Sequence, residues 1–291
     1  MKVCLLTLFF ALSVYASDKV VFTQLALQEE VSKEDKLLFW SNYFLGKPYD
    51  SSGPLGEGTT GLYDRDPLYR FDAFDCTTFV ETLIALANSS DKQTFSRVMN
   101  EVRYKEGKVS YLNRNHIISQ SWIPNNIDNS LIKRSTSYFS DQYLEFGSSI
   151  IDLANWLKFH KVDSLKLPDL SEDAKAERLN QLKQEADRFT QEEVFVEYLS
   201  TTEVLKDWQG FKNELNKKTY ILNIVRPNWQ LKHLIGTNLN ISHQGILEVA
   251  KDGIYFIHAS SAGMVKKVLL KSYLEKIKDS STIRGFSLFS L

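Results

Sequence analysis

Residues 241–258 read ISHQGILEVAKDGIYFIH, and they decide how the C-terminal part of the chain folds. Two runs of strand-like composition, 241–249 and 254–258, flank Ala250-Lys251-Asp252-Gly253, a string typical of the turn in a β-hairpin. Strand-like runs also lie at 220–225 and 285–291. We therefore predict an antiparallel sheet in the C-terminal quarter that contains this hairpin.

The register of the hairpin decides where its two histidines point. Side chains alternate along a strand. In a hairpin with a two-residue loop, a residue of the first strand and a residue of the second strand therefore share a face when their numbers have an odd sum. His243 and His258 meet this condition. With Lys251-Asp252 at the centre of the turn, they are diagonal neighbours, roughly 7–8 Å apart. We predict that the two rings lie on one face and within reach of each other, provided that no bulge interrupts the hairpin.

Cys76 lies at the predicted start of a helix. It is preceded by Asp75, and the apolar residues that follow it recur at helical spacing as far as Ala87. Asp75 is suited to cap this helix, and Thr78 and Glu81 offer further capping groups. A thiol at a helix N-terminus feels the positive end of the helix dipole, which favours the nucleophilic thiolate.

A nucleophilic cysteine needs a base, which is usually a histidine. The three residues allow a relay in which His243 accepts the thiol proton of Cys76 and His258 orients and polarises His243. Two simpler interpretations stay open: an inert, buried cysteine, and half-buried strand histidines without partners. The same three side chains could also hold Zn²⁺ with one open coordination position.

The composition excludes several classes of protein. The chain has 291 residues, with 35 Lys+Arg against 36 Asp+Glu and a net charge of −1. A nucleic-acid-binding protein usually shows a basic excess, so we expect no nucleic-acid partner. Hydrophobic residues make up 43% of the sequence, which is typical of a globular protein and argues against long disorder.

The first 16 residues have the three-part pattern of a secretory signal peptide. Met1-Lys2 is basic, residues 3–14 are almost wholly apolar, and Val14-Tyr15-Ala16 offers small residues for cleavage after Ala16. Cleavage removes Cys4 and leaves Cys76 as the one thiol of an exported, most simply periplasmic, protein. No later run reaches about 18 apolar residues, so we expect no transmembrane segment in the mature chain.

The mature chain, residues 17–291, is predicted to form a single α+β domain. Residues 18–45, 75–87 and 92–102 have helical patterns, and a glycine-rich loop covers about 46–70. Residues 140–218 are rich in charge and helical in character, so we predict a solvated helical insertion there.

These motifs resemble the NlpC-type, papain-like cysteine hydrolases of bacterial cell walls. The matching strings are Leu45-Gly46-Lys47-Pro48-Tyr49, Asp75-Cys76, Ser242-His243-Gln244-Gly245 and Phe256-Ile257-His258-Ala259-Ser260. More narrowly, residues 75–81, Gly236-Thr237 and the two histidine strings resemble the N-acetylmuramoyl-L-alanine amidase-like branch. The family's usual Asp-Cys-Ser-Gly string reads Asp-Cys-Thr-Thr here, which weakens the transfer of subsite detail.

The resemblance covers about residues 35–291 and implies a papain-like core, in which the catalytic cysteine at a helix N-terminus packs on an antiparallel sheet. It implies that Cys76 is the nucleophile, His243 the base and His258 the residue that orients the base. It also implies that Tyr49 and Asp75 contact the substrate. We expect His116 and Gln244 to line the substrate groove as well, and we expect neither a metal nor a cofactor.

The branch is associated with cleavage of the amide between N-acetylmuramic acid and L-alanine, so muropeptides are the expected partners of a protein that we expect to be a monomer. The nearest alternative is an endopeptidase that cuts the γ-D-glutamyl–diamino-acid bond with the same residues. A zinc amidase and a non-catalytic peptidoglycan-binding protein are the remaining alternatives.

Overall fold

The computed structural model describes residues 18–291. The predicted signal peptide, residues 1–16, lies outside the described residues. Within residues 18–291, no helix is both long enough and apolar enough to cross a membrane.

The described chain has an α+β fold of α-helices and antiparallel strands. The helices are α1 (Asp18–Ala26), α2 (Lys33–Tyr43), α3 (Cys76–Ala87), α4 (Lys92–Arg103), α5 (Ile123–Asp128), α6 (Leu153–Lys158), α7 (Glu172–Glu185), α8 (Thr201–Lys206), α9 (Trp208–Glu214), α10 (Lys232–Ile235) and α11 (Leu270–Ile277). The strands are β1 (Lys133–Arg134), β2 (Leu144–Asp152), β3 (Gln191–Ser200), β4 (Thr219–Trp229), β5 (Leu239–Ala250), β6 (Gly253–Ala259), β7 (Val265–Leu269) and β8 (Gly285–Ser290).

These strands form one antiparallel sheet in the order β2-β3-β8-β4-β5-β6-β7, with the short β1 paired to β8. The predicted hairpin is β5 and β6. Ala250 pairs with Gly253 across the two-residue turn, and the register continues to the pair Ile246 and Ile257. The predicted register is therefore confirmed. A bulge does occur beside Ser242, but it lies between β4 and β5, outside the hairpin.

Helices cover both faces of the central strands β4, β5, β6 and β8, whose alternate side chains enter two different apolar cores. One core joins α2, α3 and α4 to residues such as Ile246 and Ile257. The other joins α8, α9 and α11 to residues such as Leu247 and Phe256. Helix α3 packs across β5 and β6. The helix that begins at Cys76 therefore lies against the strands that carry the two histidines.

The prediction of a helical insertion over residues 140–218 is wrong in part. Helices α6 to α9 lie there, but so do β2 and β3, which pair with each other from Leu144 and Leu199 to Asp152 and Gln191. These residues therefore extend the sheet. The first residues of β3, Gln191-Glu192-Glu193, are polar and carry no local strand signal, so their conformation depends on pairing with a strand that is remote in sequence.

The remaining predicted elements agree with the structure except in detail. Residues 18–45 form two helices, α1 and α2, instead of one helical segment. The helices predicted at 75–87 and 92–102 match α3 and α4 to within one residue at each end. The glycine-rich segment 46–70 has no helix or extended strand, as predicted. Strand β7 and helix α11, which follow the hairpin, were not predicted.

Candidate active site

Asp75 caps helix α3 and so fixes the position of Cys76. The Oδ1 atom of Asp75 accepts hydrogen bonds from the backbone N–H of Thr78 at 2.7 Å and from the Thr78 hydroxyl at 2.9 Å. The Thr78 hydroxyl accepts the backbone N–H of Asp75 at 3.0 Å, which completes a reciprocal capping box. Cys76 is therefore the first residue of the helix, as predicted, and Thr78 supplies the second half of the box instead of Glu81.

The Cys76 thiol is partly exposed but lies in a strongly desolvated position. Burial, and then the charge of Asp75, raise the pKa of the thiol to about 11. The backbone N–H of Gln244, the Thr77 hydroxyl and the backbone N–H of Cys76 act in the opposite direction. Desolvation outweighs these donors, so the thiol is protonated at neutral pH. The position at the helix N-terminus does not ionise it, contrary to the expectation from the sequence.

The two strand histidines form a pair. The Nε2 atom of His243 and the Nδ1 atom of His258 are 2.7 Å apart, within hydrogen-bond distance, and the two rings are nearly perpendicular. Gly245 lies on β5, two residues after His243, and next to Ile257 and His258 of β6. A Cβ at this position would lie 2.6 Å from the carbonyl oxygen of Ile257 and 2.8 Å from the Cβ of His258. Glycine is therefore required for the close approach of the strands beside the pair.

Both imidazoles are neutral over most of the pH range. Burial, with a contribution from the charge of Lys266, lowers the pKa of His243 to about 4. Burial, and then the charges of His243 and Lys266, lower the pKa of His258 to about 3. The ring of His258 stacks on Phe256 at a centroid distance of 4.6 Å, which fixes its plane. Neutral rings with one shared hydrogen bond can accept a proton from a neighbouring acid.

Two tyrosines lie near both the thiol and the residues around it. Burial raises the pKa of Tyr273 to about 12, and the charge of Cys76 acts in the same direction. The Tyr273 ring lies 5.5 Å from that of His258. Burial also raises the pKa of Tyr49, and the charges of Cys76 and then Asp75 add to the effect. The structure thus brings Cys76, Tyr49, Tyr273 and His258 into one neighbourhood.

Residues on either side of Cys76 line a cavity of about 270 Å³. Asp75 and Thr77 share its wall with His116 and Trp156, whose rings are 4.7 Å apart. Burial holds the pKa of His116 well below its usual value. The Nε2 atom of His116 lies 2.7 Å from a backbone carbonyl oxygen, so this nitrogen carries the ring proton. His116 and Asp75 therefore face the same cavity.

The prediction that the Gln244 side chain lines the substrate groove is wrong. Gln244 alternates with His243 on β5, so its side chain enters the opposite face of the sheet. There it is fully buried, and its amide donates a hydrogen bond to Asn223 Oδ1 at 2.8 Å. The backbone N–H of Gln244, in contrast, lies close enough to the Cys76 sulfur to favour the thiolate.

A buried ion pair joins helix α3 to the end of α4 and, through its arginine, to the glycine-rich segment. The Nε atom of Arg103 lies 3.2 Å from Glu81 Oε2, and both side chains are almost inaccessible to water. The guanidinium also donates to the carbonyl oxygens of Leu55, Gly56 and Leu68. The other oxygen of Glu81 accepts the indole N–H of Trp122 at 3.2 Å. These bonds fix the segment 55–68 relative to the helix that presents Cys76.

The sequence matches, over residues 39–283, the family described as AmiA-like, N-acetylmuramoyl-L-alanine amidase-like. The chain belongs to this family. The matched range includes Tyr49, Cys76, His116 and both histidines of the pair. A search of curated proteins found no match.

Solved structures share the fold over almost the whole length. A protein from Legionella pneumophila, assigned to the family DUF1460, is 30% identical; the alignment covers 93% of each chain, with a TM-score of 0.88. An N-acetylmuramoyl-L-alanine amidase from Bacteroides uniformis is 21% identical; the alignment covers 88% of this chain and 98% of that chain, with a TM-score of 0.61. At that lower identity, the likeness is one of fold.

Three residues near the histidine pair were not predicted from the sequence. Lys266 pairs with His258 across β6 and β7, Tyr273 comes from α11, and Arg226 comes from β4. The sequence did contain a strand signal around Lys266. Residues 265–269 read VKKVL, which is short but bounded by apolar residues and could have been interpreted as a third strand after the hairpin.

Proposed function

We propose that this protein is a cysteine-dependent amidase that hydrolyses the amide between the lactyl group of N-acetylmuramic acid and L-alanine in peptidoglycan fragments. The observation that carries the proposal is the 2.7 Å contact between His243 and His258, on strands packed against the helix that begins at Cys76, in a chain of the amidase-like family. The α+β fold, with the cysteine helix packed on the antiparallel sheet, supports a papain-like arrangement of the core.

The protonation states of Cys76 and His243 before the reaction determine the first step, the attack of the sulfur. The thiol pKa is raised to about 11 and the His243 pKa is lowered to about 4, so both groups are neutral at pH 7. Because Nε2 of His243 is engaged with His258, Nδ1 is the nitrogen left to accept the thiol proton. His243 takes this proton as the sulfur attacks the lactyl carbonyl, so charge develops only during the reaction.

The tetrahedral intermediate then collapses to products. Its oxyanion is stabilised by backbone N–H groups at the sulfur, those of Cys76 and Gln244. His243, now an imidazolium, gives its proton to the departing amine of L-alanine, and a thioester forms on Cys76. His243 next removes a proton from water, which attacks the thioester carbonyl. The C–S bond then breaks, the Cys76 thiolate takes this proton back from His243, and the lactyl acid loses its own proton to solvent and leaves as the carboxylate.

Geometry favours this reaction over a zinc amidase. The Nε2 atom of His243 and the Nδ1 atom of His258 point at each other at 2.7 Å, which leaves no space for a metal ion between them. Among residues 18–291, no group of three His, Cys, Asp or Glu side chains is arranged to hold a metal ion.

The proposal also includes export and subunit state. Cleavage after Ala16 would deliver a monomer of residues 17–291 to the periplasm. N-terminal sequencing of protein purified from cells, together with its elution volume in gel filtration, tests both points. A mature chain that still begins at Met1, or a stable dimer, would contradict them.

Product analysis tests the reaction itself. Residues 17–291 are incubated with disaccharide tetrapeptide muropeptides and separately with intact sacculi, and the products are identified by mass spectrometry. We expect free peptides that begin with L-alanine. Release of a dipeptide of the diamino acid and D-alanine, with L-alanyl-D-glutamate left on the muramic acid, would identify the endopeptidase alternative, and the absence of any product with reduced protein would reject catalysis. The Cys76→Ala variant is the matched control, because it removes the sulfur and keeps the helix.

A further inference from the structure

A second cavity lies on the side of the histidine pair. It has a volume of about 460 Å³ and is lined by residues of β4 to β7, α11 and the segments beside them. Its lining includes His243 and His258 together with three basic side chains, Arg226, Lys266 and Lys276, and no aspartate or glutamate of residues 18–291. The cavity therefore presents uncompensated positive charge to whatever enters it.

The basic residues of this cavity are not neutralised within the described chain. The ion pairs formed by other lysines of this region join Lys267 to Glu248 and Lys232 to Asp152. Lys266 instead lies beside the histidines, as a cross-strand partner of His258. A partly buried cation without a counter-charge is costly, and an anionic ligand removes that cost.

Two buried donors of the same cavity have no partner among residues 18–291. One is Nε of Arg226, whose guanidinium is held over the ring of Trp229 at 4.3 Å and donates through another nitrogen to Thr282. The other is Nε2 of His258, a residue that is 4% exposed. In the tautomer that the proposed mechanism needs, His243 donates through Nε2 to Nδ1 of His258, which places the His258 proton on Nε2.

The direction of the proposed reaction indicates which part of the substrate lies here. His243 must give its proton to the departing amine, so the peptide that begins with L-alanine leaves from the histidine side. The two parts of a muropeptide also differ in charge. The glycan carries no charge next to the scissile amide, whereas the peptide carries carboxylates from its second residue onward. A cationic cavity therefore complements the peptide part.

We propose that the cavity beside the histidine pair is the subsite for the leaving peptide and that it binds a peptide carboxylate through Arg226, Lys266 and the Nε2–H of His258. The first such carboxylate after L-alanine is the α-carboxylate of γ-linked D-glutamate. This inference rests on the proposed function, because the direction of the reaction places the peptide on the histidine side. The volume suits a short peptide better than a complete disaccharide peptide.

A binding experiment tests the subsite without requiring turnover. The Cys76→Ala protein is titrated calorimetrically with L-alanyl-D-glutamate capped as its γ-methylamide, and with the matched probe whose α-carboxylate is a carboxamide. We expect the carboxylate probe to bind at least about tenfold more tightly, as for a hydrogen bond between charged groups. Equal affinities for the two probes would overturn the inference.

Charge-removing variants then locate the contact. Lys266→Met should weaken binding of the carboxylate probe about tenfold and leave the carboxamide probe unchanged. Lys276→Met, at an exposed position of the same lining, provides a second variant in case Lys266→Met does not fold. Lys278→Met is the matched control, because it removes a charge at the same end of α11 outside the lining. A loss that is equal for both probes, or equal in the control, contradicts the subsite.

The binding experiment and the product analysis can fail independently of each other. A carboxylate preference without release of L-alanyl peptides would retain the anion subsite and reject the proposed scissile bond. Release of L-alanyl peptides without a carboxylate preference would retain the reaction and reject the subsite.

Discussion

The two sides of the site differ in how fully their charged and titratable side chains are bonded. On the helix side, the guanidinium of Arg103 is bonded to Glu81 and to three backbone carbonyl oxygens, and Asp75 is held in a reciprocal cap. On the hairpin side, Nε2 of His258 and Nε of Arg226 have no partner within residues 18–291. The helix side is thus organised to hold a fixed geometry, while the hairpin side keeps bonding capacity for a ligand and a moving proton.

The largest expected effect is the loss of kcat when Cys76, the proposed nucleophile, is replaced. Cys76→Ser should lower kcat by about 10⁴-fold or more, because a serine hydroxyl is a weak nucleophile unless a base activates it strongly. Steady-state hydrolysis of a muropeptide measures the loss, with circular dichroism to show that the variant is folded. Turnover above about one tenth of the normal rate would remove Cys76 from the proposed mechanism.

The next largest effect should be on stability and should come from the helix side. Arg103→Met should lower the free energy of unfolding by about 3–5 kcal/mol, because it leaves Glu81 buried without its counter-charge. Urea unfolding measures the change. Arg97→Met is the matched control: its ion pair with Glu101 is exposed and should contribute less than about 1 kcal/mol. Equal losses in the two variants would contradict a specific role for the buried pair.

On the hairpin side, replacement of His258 should lower the catalytic rate more than it lowers the stability of the protein. His258→Ala removes the partner that orients His243, and we expect kcat to fall by about 10²-fold with a smaller change in KM. His258→Gln, whose side-chain amide offers an acceptor of similar reach, should recover part of this loss. If both variants lose only substrate affinity, His258 acts as a binding residue and does not orient the base.

The smallest effect concerns the pH profile. The proposed base is active when neutral, so kcat/KM should fall as the pH drops towards the His243 pKa of about 4. The charge of Lys266 lowers the pKa of both rings. Lys266→Met should therefore raise them and move the acid limb upward by about half a pH unit. A limb that stays in place or moves downward contradicts this coupling.

The parts of the site that were predictable depend on local sequence. The register of the histidine pair follows from a two-residue turn and the alternation of side chains, and the helix start at Cys76 follows from Asp75 and the apolar spacing after it. Because these signals act over a few residues, the sequence alone reveals them. The same reasoning could not show that desolvation raises the thiol pKa, since burial is a property of the assembled fold.

The parts that were missed depend on contacts between remote segments. Strands β2 and β3 lie in a charge-rich region, and they are strands because they pair with each other. The cavity beside the histidine pair is formed by Arg226 from β4, Lys266 from β7 and Tyr273 from α11. No local sequence pattern predicts that these remote residues line one cavity. Gln244 was wrongly predicted to line the substrate groove. On a strand, the residue next to a site residue points to the other face of the sheet, and the Gln244 side chain is buried there.

The close approach of β5 and β6 at Gly245 also limits how this chain can vary during evolution. Any side chain at this position would collide with the carbonyl of Ile257, and one residue inserted between His243 and the turn would move one ring to the other face of the sheet. The turn at Lys251-Asp252 is exposed and carries no such restriction. We expect natural relatives to differ in the length and composition of that turn while the two strands keep theirs.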